Sequence, residues 1–455
     1  VGWQFGLGRA VLLVGAAVMF ATNARAQVGV VKTTLYSFQG GVDGASPQAG
    51  LVQGSDGFLY GTTQNGGTNG NGTIFRIGHG GGYVSLYSFT GSNDGAAPVA
   101  SLVEGSGGYF LGTTRSGGAG GAGTVFKVDG SGSLTTLHSF NGASDGYGPY
   151  APLVQGNDGY YYGTTLTGGT NGGGGTVFKI SDAGDFTSLY SFSNSYPEEW
   201  PKAALVPGSN SGFYGCTSFG VLFTISTNGT YTRLAYDSNA NGGDLSEISL
   251  AGGSDGFFYG TTGYGSIRGT GKVFKMSSSG ALTPLAYFSV TNGILPAAAL
   301  IRAKDEYLYG TTERGGVNGA NGYGTIFRIS TNGVLTSLYS FKGGNDGGDV
   351  VSSLVQGSDG SFYGTTAGGG QNGFGTVFRL TVLPDIQFAV STNGVFSLMW
   401  STYAGWTYQA QYSDDLNSSS WINLGGSMIA TGAPLGVTDT NGMGRERFYR
   451  VLVAP

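Results

Sequence analysis

Four aspartates stand at matching corners of this chain, Asp43, Asp94, Asp145 and Asp346, each followed directly by glycine. Carboxylates gathered on one rim could hold Ca²⁺ through side-chain and carbonyl oxygens. Asp before Gly is also ordinary turn chemistry, and no spaced Asp-x-Asx-x-Asx-Gly run accompanies these corners, so the turn reading stands ahead of the metal. A second candidate is Tyr196-Pro197-Glu198-Glu199-Trp200-Pro201. An indole stacks on the C–H face of a sugar ring while carboxylates accept its hydroxyl hydrogen bonds, which makes Tyr196, Glu198, Glu199 and Trp200 a candidate ligand contact. The same residues could instead wedge two structural units together. Tyr147, Tyr150, Tyr264, Tyr323 and Phe374 fall in comparable loops and would extend an aromatic rim.

Catalysis has few carriers. The two histidines, His79 and His138, lie in separate elements and leave no Ser-His-Asp set and no His-rich metal site. A glycosidase needs two carboxylates flanking a cleft, and only Glu198 or Glu199 with Glu313 or Asp244 can be nominated. Adjacent strand residues point opposite ways, so Glu198 and Glu199 serve together only from an irregular loop. The single cysteine, Cys216, excludes an intramolecular disulfide. It stands where other copies of a repeated phrase carry threonine, and reads as a small buried residue.

That phrase, Tyr-Gly-Thr-Thr or a close variant, organises the chain. Its glycines are 61, 112, 163, 215, 260, 310 and 364, giving steps of 51, 51, 52, 45, 50 and 54 residues. A period near fifty is long enough for one small sheet per copy. In the first full copy Leu51-Val52-Gln53 leads through Asp56-Gly57, a tight-hairpin signal, to Phe58 through Thr63. A Gly/Asn-rich loop then leads to Thr73 through Ile77, and a further turn to Val84 through Phe89. These are four short antiparallel strands, the content of one propeller blade. The chain opens on an unpaired fourth strand, Leu35 to Phe38, and the array closes on a three-strand set, Leu354 to Leu380. Pairing the two predicts a closed seven-bladed β-propeller over 27–382, with no open end to cap. The loops between second and third strands, and those joining consecutive copies, are expected on one face.

Charged residues make up only 10% of the chain, with 21 basic against 26 acidic, and no Lys/Arg run, which excludes nucleic acid as a partner. Residues 1–26 read as an export signal: Arg9, the apolar stretch Ala10 to Ala21, then Ala24-Arg25-Ala26. No transmembrane segment is expected in the mature chain. After Pro384 the period stops, and 383–455 alternates in another style, with Trp400, Trp406 and Trp421 in or beside short strands. That pattern predicts a small β-sandwich whose core takes Trp400 and Trp421.

The Leu-Tyr-Ser-Phe strand, the Gly-Ser-Asp-Gly turn, the Tyr-Gly-Thr-Thr phrase and the Gly-Thr-Val-Phe-Lys/Arg strand together resemble a bacterial tandem-repeat family, the GloVer repeat, over about residues 31–380. The resemblance implies an exported protein of undefined biochemistry. The closing Phe448-Tyr449-Arg450-Val451 strand is similar to a fibronectin type III module. The resulting expectation is an all-β, secreted or cell-surface monomer. It would bind an extracellular polysaccharide or surface protein through its loop face, without a cofactor beyond the Ca²⁺ alternative. A polysaccharide hydrolase or lyase and a structural coat component are the rival readings.

Overall fold

The computed structural model describes residues 10–11, 14–15, 29–208, 212–236, 250–253, 255–263, 269–296, 298–383, 386–390, 396–402, 405–415, 420–440 and 447–454. Among the described residues it is all-β apart from two three-residue 3₁₀ turns, Gly319–Asn321 and Gly344–Asp346. In the first repeat Val52–Gln53, Leu59–Thr63, Thr73–Ile77 and Tyr83–Ser88 pair antiparallel in that order. The same order recurs from Val103–Glu104 to Leu134–Ser139, from Val206–Pro207 to Tyr231–Tyr236, from Leu250–Gly252 to Leu282–Tyr287, and from Ile301–Arg302 to Leu335–Ser340. The copy built on Tyr161–Thr167 carries an additional strand, Tyr147–Pro149.

The last copy, Val355–Gln356, Phe362–Thr366 and Thr376–Val382, has three strands of its own and takes its fourth, Val30–Ser37, from the other end of the chain. The Phe38 N–H donates to the Gly375 carbonyl at 3.0 Å. The first threonine of the phrase repeats the same logic between copies. Thr164 donates to Ala203 at 3.4 Å, Thr311 to Ser352 at 2.9 Å, and Thr365, in the last copy, to Ala49 at 3.0 Å, in the first.

Apolar burial lies between sheets rather than within them. Tyr60, Ile74 and Phe89 of one copy share a cluster with Leu102, Phe110, Phe126 and Val128 of the next. Phe38, Tyr363 and Val377 share another with Leu51, Leu59, Phe75 and Ile77. Because both faces of each sheet are covered, Leu59–Thr63 is buried at every position and shows no in-and-out alternation. The glycine of the phrase follows from this crowding: a Cβ on Gly61 would come within 2.6 Å of both Leu51 and Phe75.

Two side-chain devices link the strands. The tyrosine of the phrase donates to the hairpin aspartate four residues earlier, Tyr60 to Asp56 at 2.7 Å, Tyr162 to Asp158 at 2.6 Å and Tyr309 to Asp305 at 2.6 Å. Where the hairpin reads Ser106-Gly107-Gly108 and lacks the aspartate, the phrase carries Leu111 instead of tyrosine. The basic residue of the third strand lies over an aromatic ring, Arg76 on Phe58 at 5.0 Å, Lys127 on Tyr109 at 4.8 Å and Lys275 on Phe257 at 3.7 Å. Lys127 and Lys179 also donate to carbonyls of the next copy, Asp182 at 3.1 Å and Thr227 at 3.3 Å.

The chain divides into two compact units, Thr34–Gln356 with Phe362–Arg379, and Val1–Thr33 with Gly357–Ser361 and Leu380–Pro455. In the second, Ile386–Val390, Phe396–Trp400 and Leu435–Asp439 form one sheet, while Phe448–Ala454 and Thr407–Ser413 centre another. Leu398, Trp400, Trp406, Tyr408, Tyr449 and Val451 make its core. Trp400 is buried as expected, whereas Trp421 is only half-buried, with the Arg450 guanidinium 4.3 Å over its ring. The buried Arg447 donates to Asp439 at 2.6 Å and to Asp414 at 3.0 Å. Most of the expected export signal lies outside the described residues. Within it, Ala10–Val11 and Val14–Gly15 pair with Phe448–Ala454.

Phe38 is fully buried at the junction of the first and last sheets, so Phe38→Ala should cost about 3–5 kcal/mol. Val31→Ala, at an exposed position of the strand that leads to Phe38, should stay within about 0.5 kcal/mol. Urea unfolding of the two variants checks the difference.

Candidate functional site

The loop face is assembled from backbone corners that threonines hold in place. The second threonine of the phrase meets the threonine opening the third strand, Thr63 with Thr73 at 2.8 Å, Thr165 with Thr176 at 2.8 Å and Thr366 with Thr376 at 2.9 Å. Gly44 sits at φ +100° directly over Thr63, where a Cβ would collide with the hydroxyl. The two sets of loops bridge one another at Ala45 with Asn65, Ala96 with Ser116, Ile294 with Arg314 and Gly348 with Gly368, which puts them on one face as the sequence predicts.

Each corner aspartate is engaged within its own turn. Asp43 accepts from the Tyr36 phenol at 2.9 Å and the Gln39 N–H at 2.8 Å. Asp94 accepts from Tyr87 at 3.0 Å and from the Thr90 N–H at 2.7 Å, and Asp346 from Tyr339 and the Lys342 N–H, both at 2.8 Å. At Asp145 the partner is His138, at 3.0 Å, which occupies the tyrosine position and stacks on Phe186 at 3.8 Å. Burial alone would raise the Asp94 carboxyl, but the Thr90 hydroxyl and N–H and the Tyr87 phenol hold it below the usual carboxylate range. Among the described residues no three of His, Cys, Asp or Glu stand together as a metal site. The constant offset of seven residues from aromatic to aspartate was the signal in the sequence for these pairs, and the metal reading overlooked it.

The loop of the fourth copy brings three rings together. Phe219 lies 5.1 Å from Tyr196 and 5.4 Å from Trp200. Tyr196 is 60% and Trp200 38% exposed, so both present open edges to solvent. The Tyr196 and Tyr236 hydroxyls meet at 3.0 Å. Trp200 holds a left-handed backbone, φ 62°, as do Ser46, Ala97, Leu295 and Asp349 at the matching corners. Its N–H donates to Gly174 and its carbonyl accepts from Ser218, both at 2.9 Å, contacts that offset a strain of about 1–3 kcal/mol. Glu198 is ion-paired with Arg233 at 2.9 Å, while Glu199 is half-buried beside it.

A cavity of 400 Å³ opens where segments of different copies meet. Its wall includes Gly50, Ser101, Ala204 and Ser353, small residues at matching positions, and the polar groups Tyr150, Lys202, Glu313, Arg314 and Asp349. Two cations lie near the Tyr150 ring, Lys202 at 4.6 Å and Arg115 at 5.6 Å from its centre. Glu313 is bonded to Arg314 at 3.2 Å. The sequence nominated Tyr150 and Glu313 but not Lys202, Arg314 or Asp349. Lys202 directly follows Pro201, at the position of Gln48 and Tyr150 in earlier copies, and only that alignment could have nominated it. Tyr147 is exposed on the added strand, and Tyr323 packs over Gly343 and Gly348. Tyr264 and Asp244 lie outside the described residues. His79 stacks on Tyr363 at 5.1 Å, and His138 pairs with Asp145 at 3.0 Å. Burial pushes the Cys216 thiol well above its ordinary range, in keeping with a buried small residue.

A family described as the Gloeobacter/Verrucomicrobia repeat matches the chain over residues 15–220 and 217–413. No curated relative matches it. Among solved structures, it is similar to the extracellular domain assigned to a hybrid two-component system of B. thetaiotaomicron, at 13% identity and a TM-score of 0.51, covering 90% of this chain and 53% of that one. The chain thus spans about half the length of that domain. It is also similar to a fungal alcohol oxidase of the AA5 family solved with copper, at 12% identity and a TM-score of 0.52, covering 95% and 93%. At such identities the likeness concerns the fold. Among the described residues no helix is long and apolar enough to cross a membrane.

The tyrosine–aspartate corners make stability sensitive to alkali. Burial first, then the bond to the carboxylate, pushes Tyr36 and Tyr87 up to about 12. The folded state therefore keeps protons that the unfolded chain releases near pH ~10, so this stability is whole below pH ~10 and disappears as pH rises toward about 12. Denaturant midpoints measured between those limits should fall, and Tyr36→Phe with Tyr87→Phe should flatten the slope.

Proposed function

This chain belongs to the Gloeobacter/Verrucomicrobia repeat family, and from that premise we propose an exported, non-enzymatic protein that binds an extracellular polymer, a polysaccharide or a surface protein, through its loop face. In this reading the sheets close as a seven-bladed propeller, and the terminal unit is a small sandwich of fibronectin type III type serving as spacer or attachment module. The protein acts as a monomer at the cell surface or outside the cell. Any Ca²⁺ at the corners Asp43, Asp94, Asp145 and Asp346 would have to displace the donors that already occupy those carboxylates.

One observation carries the binding role: Tyr196, Phe219 and Trp200 form a partly exposed aromatic group two residues from Lys202, which lines the cavity. Exposed rings beside a polar recess suit a polymer that lies across the face and places one unit in the recess. The likeness to an extracellular domain agrees in fold with a role outside the cell.

Retention of the purified chain on insoluble polysaccharides and on cell envelopes tests the proposal. Retention is expected, and Trp200→Ala should weaken it about tenfold, the equivalent of about 1.4 kcal/mol. Retention untouched by both Trp200→Ala and Tyr196→Ala would remove the aromatic group from the site. Release of reducing or unsaturated ends, abolished by Glu199→Gln, would make the protein a hydrolase or lyase instead.

A further inference from the structure

We propose that the rings of Tyr323 and Phe374 form a stacking platform for a neutral polysaccharide, a second contact that rests on the polymer-binding role and gives the polymer its chemical class. Both residues stand at the same place in their copies, directly before the glycine that precedes the third strand, where other copies carry Asn71, Ala122, Gly174, Phe219 and Thr270. Each ring is seated on the loop that leads into the next copy. A Cβ on Gly40 would fall 2.6 Å from Cε2 and Cζ of Phe374 and 2.7 Å from its Cδ2. One on Gly343 would fall 2.5 Å from Cε2 and Cζ of Tyr323 and 2.8 Å from its Cε1. A point so close to three successive ring atoms, at nearly equal distances, lies over the face of the ring and not beyond its edge. One face of each ring therefore covers a glycine. The exposure of Tyr323, 44%, and of Phe374, 42%, belongs to the opposite face and the edges.

The two rings belong to adjoining loops. Gly348, packed against the same Tyr323 side chain, bridges Gly368, and the next residue, Gly369, bridges Phe374. Beside these bridges the Gly370 N–H donates to the Gly344 carbonyl at 2.8 Å. Asn345 and Gln371 each follow one of those two glycines, and both are exposed, with side-chain amides that make no hydrogen bond among the described residues. An amide donates and accepts at once, which matches sugar hydroxyls, while the open ring faces match the C–H faces of pyranose rings. Charge points the same way. Glu313 is paired with Arg314, whose neighbour Gly315 bridges Tyr323, and Lys342, Asp346 and Asp349 leave no surplus of positive charge around Gly343 to Gly348. A row of sugar rings needs flat apolar ground with hydroxyl partners at its sides, and two rings set on glycine backbone beside two amides provide it.

Calorimetric titration of the full chain with cellohexaose, xylohexaose and mannohexaose, and with hexagalacturonate, tests this. A neutral hexasaccharide should bind more tightly than hexagalacturonate, and its binding should persist at about 0.5 M salt, where attraction between exposed charges is screened. Tyr323→Ala and Phe374→Ala should each weaken it about tenfold, while Tyr323→Phe and Phe374→Tyr keep it. Unchanged urea midpoints in the alanine variants show that the fold is intact. Neutral binding that survives the double alanine variant but is weakened by Trp200→Ala overturns the platform and leaves the binding role standing. A preference for hexagalacturonate overturns the neutral class. Retention only on envelope protein freed of polysaccharide, lost in the double variant, makes the rings a protein-docking surface and overturns the proposal. Failure of every neutral hexasaccharide overturns it too, and if no polymer or envelope retains the chain the binding role falls with it.

Discussion

The last sheet is completed by a strand from the opposite end of the chain, and everything at the loop face depends on that pairing. Without Val30–Ser37, the strand Thr376–Val382 would present an open edge of unpaired N–H and C=O groups, and Tyr363 and Val377 would lose Phe38 from their shared cluster. The bond from Thr365 to Ala49 makes the same point, joining last copy to first as Thr311 and Ser352 join two neighbours. Because the cavity wall takes residues from the first copy and the last, Gln48 to Gly50 and Asp349 to Ser353, it exists only when the ends meet.

The repeated residues are the means by which this geometry is reproduced with so little charge. A glycine admits Leu51 and Phe75 to the sheet face, a threonine pair fixes the corner, and a tyrosine ties the second strand to its hairpin aspartate. Each net hydrogen bond of this kind contributes about 0.5–1.5 kcal/mol, a modest amount that recurrence turns into a large one. The third-strand cations work differently, covering exposed aromatic rings and reaching carbonyls of the next copy. They knit sheets together along the side away from the glycine loops, which leaves that face free to vary.

The repeat was legible because its signals are local. The Asp56-Gly57 hairpin, the alternation of strand and turn, and the unpaired strands at the two ends of the array led directly to the observed pairing of Val30–Ser37 with Thr376–Val382. The site was harder to read, because what matters there is set by partners distant in sequence. Asp43, Asp94, Asp145 and Asp346 looked like a shared rim, yet each faces inward to its own tyrosine or histidine. Glu198 looked like a hydroxyl acceptor, and Arg233, thirty-five residues on, takes it as an ion-pair partner. Lys202 and Asp349 carry no motif at all and become site residues only through their place at the wall. Trp421 likewise gave no hint of Arg450 across its face.

Hydrogen exchange on the intact chain addresses the closure most directly. If the head strand is an integral part of the last sheet, the amides of Thr34 to Phe38 and of Thr376 to Arg379 should exchange together, at the slow rate of global unfolding. Exchange of Thr34 to Phe38 at rates near those of an unstructured peptide, with the remaining sheets still protected, would contradict the account.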